Sequence, residues 1–242
     1  MLADILTVAT KEFKEIIRQG GRRGRWSYLI LLGVFGVFFP LQAGPEGVRS
    51  GTSAFILVWL AYLSVSNAVV DSFAGERERR TLETLLATRL SDTAILLGKF
   101  AAAAVYGIGI SAALLIVSLV AVNVLHAGGG LIMYPPLALG LFVVGLLVIT
   151  TLAAGLGVLV SLRAPTVRQA QQTMSMARFV VFVPIILMSF LPDSFQDRLG
   201  AALQTLNPVN FVLAIIAVVL LADVGLVLAA LARFKWARLI LD

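Results

Sequence analysis

Charged side chains concentrate in one short stretch of an otherwise apolar chain. Ten of the 32 Asp, Glu, Lys and Arg residues lie between Asp71 and Lys99. In the segment "GERERRTLETLL" acidic and basic residues are interleaved, with the i,i+4 spacing at which opposite charges pair on a helix. The predicted pairs are Glu76–Arg80 and Arg79–Glu83. Such interleaving is typical of a solvated helix face or a docking surface.

The same stretch carries regularly spaced leucines, at Leu82, Leu85, Leu86 and Leu90. Together with the charges they predict a short amphipathic helix over residues 76–90. One interpretation is a solvated loop that only fixes membrane topology, but topology needs Lys and Arg alone. Because Glu and ordered leucines are present as well, a docking surface for another protein is favoured.

Residue types suited to catalysis or metal binding are scarce in this chain. It has no cysteine and a single histidine, His126. Metal sites need several ligands at fixed spacing, and the spans carry no paired carboxylates. The phosphate-binding pattern G-x-x-x-x-G-K-[ST] is also absent from the sequence. The sequence therefore predicts no catalytic site, no metal and no cofactor on this chain.

Four polar residues interrupt the apolar segments: Asn67, Asp71, Arg178 and Asp223. Ionisable groups inside a membrane are costly and are usually paired or face a cavity. Arg178 and Asp223 both lie roughly 15 Å from the end of their helices, at 1.5 Å per residue. We therefore expect an Arg178–Asp223 ion pair, the alternative being that one of them faces a transport pathway.

Composition places the whole chain in a membrane. Of the 242 residues 60% are hydrophobic and 13% are charged, against about 25% charged in soluble domains. Continuous apolar runs of about 20 residues favour helices over a barrel. The prediction is a single all-α transmembrane domain over 1–242 with six spans, at 26–43, 53–73, 96–125, 137–162, 170–191 and 209–234.

The basic residues predict the orientation of these spans. Sixteen of the 19 Lys and Arg residues fall on one side of the six-span layout, which the positive-inside rule assigns to the cytoplasm. Both termini are then cytoplasmic, and the net charge of +6 marks topology rather than nucleic-acid binding.

Two further segments and one residue outside the spans have predicted roles. Residues 1–20 have apolar residues at helical spacing and predict an interfacial helix that contacts membrane lipid. Residues Pro192–Pro208, between spans 5 and 6, predict a short outer half-inserted helix. Ser91 is expected to cap the helix that becomes the third span.

The segment "GERERRTLETLLATRLSDTAILLGK" resembles the characteristic loop of the ABC type-2 permease family, the membrane subunits of ATP-driven exporters. The matching positions are Glu76-Arg77-Glu78, Thr81-Leu82-Glu83, Leu85-Leu86 and Gly98-Lys99. Arg80 and Arg89 stand where the family commonly has Gly and Pro. An N-terminal "KEFKEIIR" helix and an Asn-Pro before the sixth span agree with the resemblance.

The resemblance implies a half-transporter in the plasma membrane of a prokaryote. Two copies would form a homodimer and recruit two ABC ATPase subunits, which hold the ATP and Mg, and ATP hydrolysis would drive export by alternating access. The helix 76–90 would be the coupling helix that docks on the ATPase, and "LRAPTVRQAQQ" a second contact. The implied coupling residues are Glu76, Arg77, Glu78, Arg79, Arg80, Thr81, Leu82, Glu83, Leu85, Leu86, Arg163 and Arg168.

The alternative function is a self-contained channel or secondary carrier. Such a protein needs a line of polar groups along one pathway, whereas these spans are nearly bare of charge. The transported compound stays open between small hydrophobic or amphipathic molecules and sodium ions.

Overall fold

The computed structural model describes residues 1–19, 26, 28–81, 89–126, 130–189, 192 and 208–239. All regular structure in these ranges is helical, as the apolar runs predict. The helices are α1 (Leu2–Gln19), α2 (Tyr28–Arg49), α3 (Thr52–Glu78), α4 (Asp92–Leu125), α5 (Pro136–Ser161), α6 (Val167–Ser189) and α7 (Pro208–Leu239).

The membrane-embedded character of the chain follows from the length and composition of its helices. Four described helices, α2 to α5, are long and apolar enough to cross a bilayer. Helices α6 and α7 stand where the fifth and sixth spans are predicted, and α7 contains a shorter apolar segment, Ala217–Ala232. The six-span layout remains a prediction, and the predicted outer helix between α6 and α7 lies outside the described residues apart from Pro192 and Pro208.

Helix α3 is the central element of the bundle. It packs against α4, α5 and α6, and most of its apolar window is buried inside the protein. Gly107 of α4 and Gly157 of α5 lie where it crosses these neighbours: a Cβ on either glycine would come within 3 Å of a valine of α3. These glycines therefore allow close helix packing, as expected of small residues in membrane bundles.

Helix α3 also corrects the predicted start of the amphipathic helix. It continues past the predicted end at Phe73 to Glu78, so that Glu76 belongs to the second span and not to a new helix. The chain leaves the helix at Arg79 and Arg80, and Arg80 has a left-handed φ of 57°. The rest of the predicted helix, residues 82–88, lies outside the described residues.

Helix α2 differs from its prediction in length, and it is bent. It runs from Tyr28 to Arg49 rather than over 26–43, and Leu32–Phe38 form a π-helical segment. The break in the helix is not at Pro40, a proline inside the predicted first span that lies near the start of the α-helical turns. It occurs at Gly44, whose φ of 63° suits a residue without Cβ, directly before Pro45.

Ser91 begins α4 as predicted. Its Oγ accepts a hydrogen bond of 3.2 Å from the Ala94 amide, and its backbone is extended, as in other N-caps. This cap fixes where the third long helix starts.

Helix α1 is confirmed as an amphipathic helix, but it has two apolar faces. Leu2, Leu6 and Ile17 are exposed and are free to contact lipid. Val8 and Glu12, in contrast, are buried where α1 packs along α4.

The crossing of α1 over α4 depends on Gly98. A Cβ at this position would lie 2.6 Å from Val8 Cβ and 3.0 Å from the Ile5 carbonyl oxygen. Gly98 therefore lets the backbone of α1 approach α4 closely.

Gly98→Ala is predicted to displace α1 from α4, because neither a backbone carbonyl nor a β-branched Cβ can yield. The matched control is Gly109→Ala in the same helix, where an added Cβ meets nothing within 4 Å and Ala favours helix by about 0.5–1 kcal/mol. For both variants, limited trypsin digestion at Lys11 and Lys14 measures the release of α1, and thermal unfolding in detergent measures stability. Equal digestion of the two variants would contradict this role of Gly98.

Candidate functional site

Lys99 organises the end of the bundle where α1, the end of α3 and the start of α4 meet, here called the charged end. Its side chain is 1% exposed, and its ammonium lies 3.0 Å from both Glu12 Oε1 and Glu76 Oε1. It also donates to Ser72 Oγ at 2.8 Å and lies 5.2 Å from the centre of the Phe73 ring. Three acceptors match the three N–H groups of the ammonium. A buried charge is tolerated only when it is satisfied in this way.

Glu12 is held in its charged form by the same contacts. Burial alone would raise the pKa of Glu12, but the Lys99 ammonium, together with hydrogen bonds from Lys99 and Ser72, outweighs burial and holds the pKa below its usual range. Ser72 Oγ donates to Glu12 Oε2 at 2.8 Å. Lys11 adds a longer contact to Glu12, at 3.4 Å. The interfacial helix is thereby bound to the bundle by ionic contacts as well as by packing.

Arg77 and Glu78, which follow Glu76 in α3, bind the connection between α5 and α6. Arg77 Nη1 donates to the carbonyl oxygens of Leu162 and Ala164, at 2.8 and 3.4 Å. Glu78 Oε2 accepts a hydrogen bond of 2.9 Å from the Val167 amide, the first residue of α6. A carboxylate at a helix N-terminus satisfies a free amide and favours the helix dipole. The end of α3 therefore contacts α1 and α4 through the Lys99 cluster, and the α5–α6 connection through Arg77 and Glu78.

Deeper in the bundle, α3 and α6 share two polar contacts. Gln171 Nε2 donates to Asp71 Oδ1 at 2.8 Å, and Arg178 Nη2 donates to Asn67 Oδ1 at 3.1 Å. Asn67 is exposed although it lies in the middle of an apolar helix. Gln172 of α6 is exposed as well. These five residues form a polar face along α3 and α6, named here the polar face.

A cavity of about 320 Å³ opens beside the Lys99 cluster. Helix α1 contributes Glu12, Glu15 and Ile16 to its wall, and α3 contributes Asp71 and Glu76 among others. The cavity wall thus combines carboxylates with other polar and apolar side chains.

Several residues predicted to contact an ATPase have partners within this chain. Glu76 contacts Lys99 instead of Arg80, and Arg77 and Glu78 bind the α5–α6 connection. Arg79 lies 3.9 Å from Glu15, a distance at which an exposed pair contributes little. Among the described residues, Arg80, Arg163 and Arg168 are exposed with no such side-chain contact, whereas the exposed Thr81 donates its hydroxyl to the Glu76 carbonyl oxygen at 3.2 Å. Leu82, Glu83, Leu85 and Leu86 lie outside the described residues.

The predicted Arg178–Asp223 ion pair is wrong. Arg178 donates to Asn67, whereas the Asp223 carboxylate is hydrogen bonded to Thr151 of α5. Equal depth in the membrane was the basis of the prediction, but depth says nothing about which side of a helix a residue occupies.

Three contributors to the charged end were not predicted: Glu12, Ser72 and the buried state of Lys99. A signal was present, because Ile5, Val8, Glu12 and Ile16 follow helical spacing, so that Glu12 shares a face with apolar residues. Lys99 likewise follows a glycine inside an apolar run. Ser72 and Lys99, the partners of Glu12, however, lie at least 60 residues away from it in sequence.

Lys99→Met is predicted to destabilise the protein by about 3–5 kcal/mol, the usual result of removing one partner from a buried ion pair. Among the described residues, Glu12 and Glu76 would then keep only their longer cation contacts, to the exposed Lys11, at 3.4 and 3.9 Å. Thermal unfolding in detergent measures the loss, and protease release of α1 locates it.

Lys14→Met provides the matched control, because Lys14 is exposed on the same α1 and surface changes usually stay within about 0.5 kcal/mol. A triple variant that adds Glu12→Gln and Glu76→Gln to Lys99→Met should recover most of the stability, since no unpaired charge is left. A Lys99→Met protein as stable as Lys14→Met would contradict the assignment.

Comparisons with known proteins agree with these features. The family model described as "ABC-2 family transporter protein" matches residues 37–232. The chain is also 26% identical over 177 residues to the ABC transporter permease protein NatB of Bacillus subtilis (strain 168), a match that covers 65% of this chain and 44% of that protein. The matched part thus spans less than half the length of this relative. The chain belongs to the ABC-2 transporter family, and its long apolar helices make it a membrane-embedded, multi-pass member.

Proposed function

We propose that this chain is the transmembrane permease subunit of an ABC exporter, driven by ATP hydrolysis on a separate ATPase subunit. The family match over residues 37–232 is the observation that carries this proposal. Six spans place both termini and the charged end on the cytoplasmic side of a prokaryotic plasma membrane. ATP and Mg are bound by the ATPase, and two permease and two ATPase subunits form the transporter.

Exposure at the charged end supports the assignment of four residues to the proposed ATPase contact. Arg80 and Thr81, at the turn after α3, and Arg163 and Arg168, at the α5–α6 connection, have exposed side chains. They lie within the two segments that the family resemblance assigns to ATPase contacts. The segment 82–88 continues the first of these surfaces in sequence.

The residues of the same segment that contact other helices, Glu76, Arg77 and Glu78, transmit movement rather than dock. A force on the turn at Arg80 reaches α4 and α1 through Glu76 and Lys99, which are 3.0 Å apart. It reaches α5 and α6 through Arg77 and Glu78. Because these contacts are short and the Lys99 ammonium is buried, the ends of α3 and α4 move together, which is the requirement for opening a pathway by tilting helices.

The polar face is the proposed side of the subunit that meets the pathway and the second copy. Exposed amide and charged groups are unfavourable against lipid and are satisfied by water or by another subunit. Asn67 and Gln172 are exposed while Asp71, Gln171 and Arg178 hydrogen bond beside them. A homodimer that joins these faces would enclose a polar pathway between apolar outer walls.

Charge reversal at the exposed arginines tests the ATPase contact. The permease is co-expressed with candidate ATPases, and the complex is purified and assayed for vanadate-sensitive ATP turnover. Arg80→Glu and Arg168→Glu are each expected to weaken assembly about tenfold, equivalent to ~1.4 kcal/mol. Both leave the internal contacts of Glu76, Arg77 and Glu78 in place.

Arg49→Glu is the matched control, since Arg49 is an exposed arginine at the opposite end of the bundle whose ion pair, among the described residues, is with the exposed Glu46. It should assemble like the unchanged protein. Assembly that is insensitive to Arg80→Glu and Arg168→Glu would remove the docking proposal. Solute flux through vesicles that contain this chain alone would instead favour a self-contained channel or secondary carrier.

The absence of cysteine from the sequence allows a direct test of the dimer. Gln172→Cys on the polar face is expected to form a disulfide-linked dimer in membranes treated with a mild oxidant. Val120→Cys is the control, because Val120 is 55% exposed on the apolar surface of α4 and should stay monomeric. Dimers at position 120 but not at 172 would place the second copy on another face.

A further inference from the structure

Asp223 is a buried carboxyl that the proposed coupling contacts do not use. It lies near the middle of α7 and is 4% exposed. Its Oδ2 is hydrogen bonded to Thr151 Oγ1 of α5, and its Oδ1 is buried without a hydrogen-bond partner among the described residues.

Among the described residues, α4 and α5, which pack against α7, provide no cation for Asp223. Helix α5, its main neighbour, has no charged residue along its length. Helix α4 carries only Asp92 and Lys99, both near its first turns, and Lys99 is already bound by Glu12 and Glu76. The next charged residue along α7 is Arg233, ten positions and roughly 15 Å further on.

The contact between α5 and α7 also excludes water from this carboxyl. One turn from Thr151, a Cβ added at Gly155 would lie 3.0 Å from Leu226 Cβ. This close approach is one turn from Asp223 as well. An isolated carboxylate in such a place would lose its solvation without compensation, at a cost of many kcal/mol, whereas the neutral acid avoids that cost.

The hydrogen bonds of the Thr151 hydroxyl also favour a protonated Asp223. The Thr151 hydroxyl has one proton and lies 3.0 and 2.9 Å from the carbonyl oxygens of Leu147 and Val148. If that proton goes to one of these carbonyls, the hydroxyl oxygen is free to accept. A protonated Asp223 then donates to Thr151, and Oδ1 is left as a neutral carbonyl oxygen rather than as an unpaired anion.

We propose that Asp223 is a proton-binding site at the α5–α7 contact, occupied at neutral pH, and that the proton can leave only when the two helices separate. This rests on the proposed membrane placement of α7. A carboxyl of this kind is also a site for hydrophobic carbodiimides: the acid O–H adds across a C=N bond, and the resulting O-acylisourea rearranges to a stable N-acylurea with no group lost.

The test treats the full-length protein in lipid vesicles at pH 7 with dicyclohexylcarbodiimide and maps adducts by peptide mass spectrometry. The expected result is an N-acylurea on Asp223, lost in Asp223→Asn. Glu46, whose side chain is 82% exposed, serves as an internal control that should react with a water-soluble carbodiimide instead. An unlabelled Asp223 in folded protein would overturn the proposal.

Infrared difference spectra between the unchanged protein and Asp223→Asn give a second readout that does not depend on reagent access. A protonated carboxyl band, sensitive to deuterium exchange only on prolonged incubation, is expected at pH 7. Thr151→Val should shift this band to higher frequency, because it removes the hydrogen-bond partner. A carboxylate band in its place would overturn the proposal. Neither readout needs an ATPase, so either failure leaves the permease assignment to its own experiment.

Discussion

The buried ammonium of Lys99 is the interaction on which the charged end of this protein depends. Removal of a charge from water is costly, and here three acceptors from two helices compensate for it. Glu12, Glu76 and Ser72 lie within 3.0 Å of the same nitrogen. Because none of these groups can be withdrawn without leaving a buried charge unpaired, α1, α3 and α4 are held in one arrangement.

The charged segment of this ABC-2 family member contains residues with internal partners and residues that are exposed at the surface. The acidic and basic side chains that alternate along this sequence point in different directions. Glu76 points to Lys99, whereas Arg77 and Glu78 reach the α5–α6 connection. Arg80 is left exposed at the turn. One short segment thus combines internal connections with an outer surface, which suits an element that receives a movement and distributes it to several helices.

Much of the secondary structure could be predicted, because the features that favour each helix lie close together in the sequence. The apolar runs predicted the long helices, the spacing of residues 1–20 predicted α1, and Ser91 predicted the start of α4. The bend in α2 could not be located in this way, since both Pro40 and Gly44 are plausible breaks. Only the backbone reveals that Gly44 adopts the left-handed conformation. Similarly, the end of α3 depends on partners of Glu76, Arg77 and Glu78 that lie far away in sequence.

The sequence by itself determined that this chain is helical, membrane-embedded and charged at one end, because hydropathy and charge act through the nearest residues and the surrounding solvent. It also carried the family resemblance. Only the tertiary structure decided which charges pair. Arg178 and Asp223 have separate partners, and Glu12 became part of the interior. Pair contacts require both the right depth and the right helix face, and the face is fixed only when the helices pack against one another.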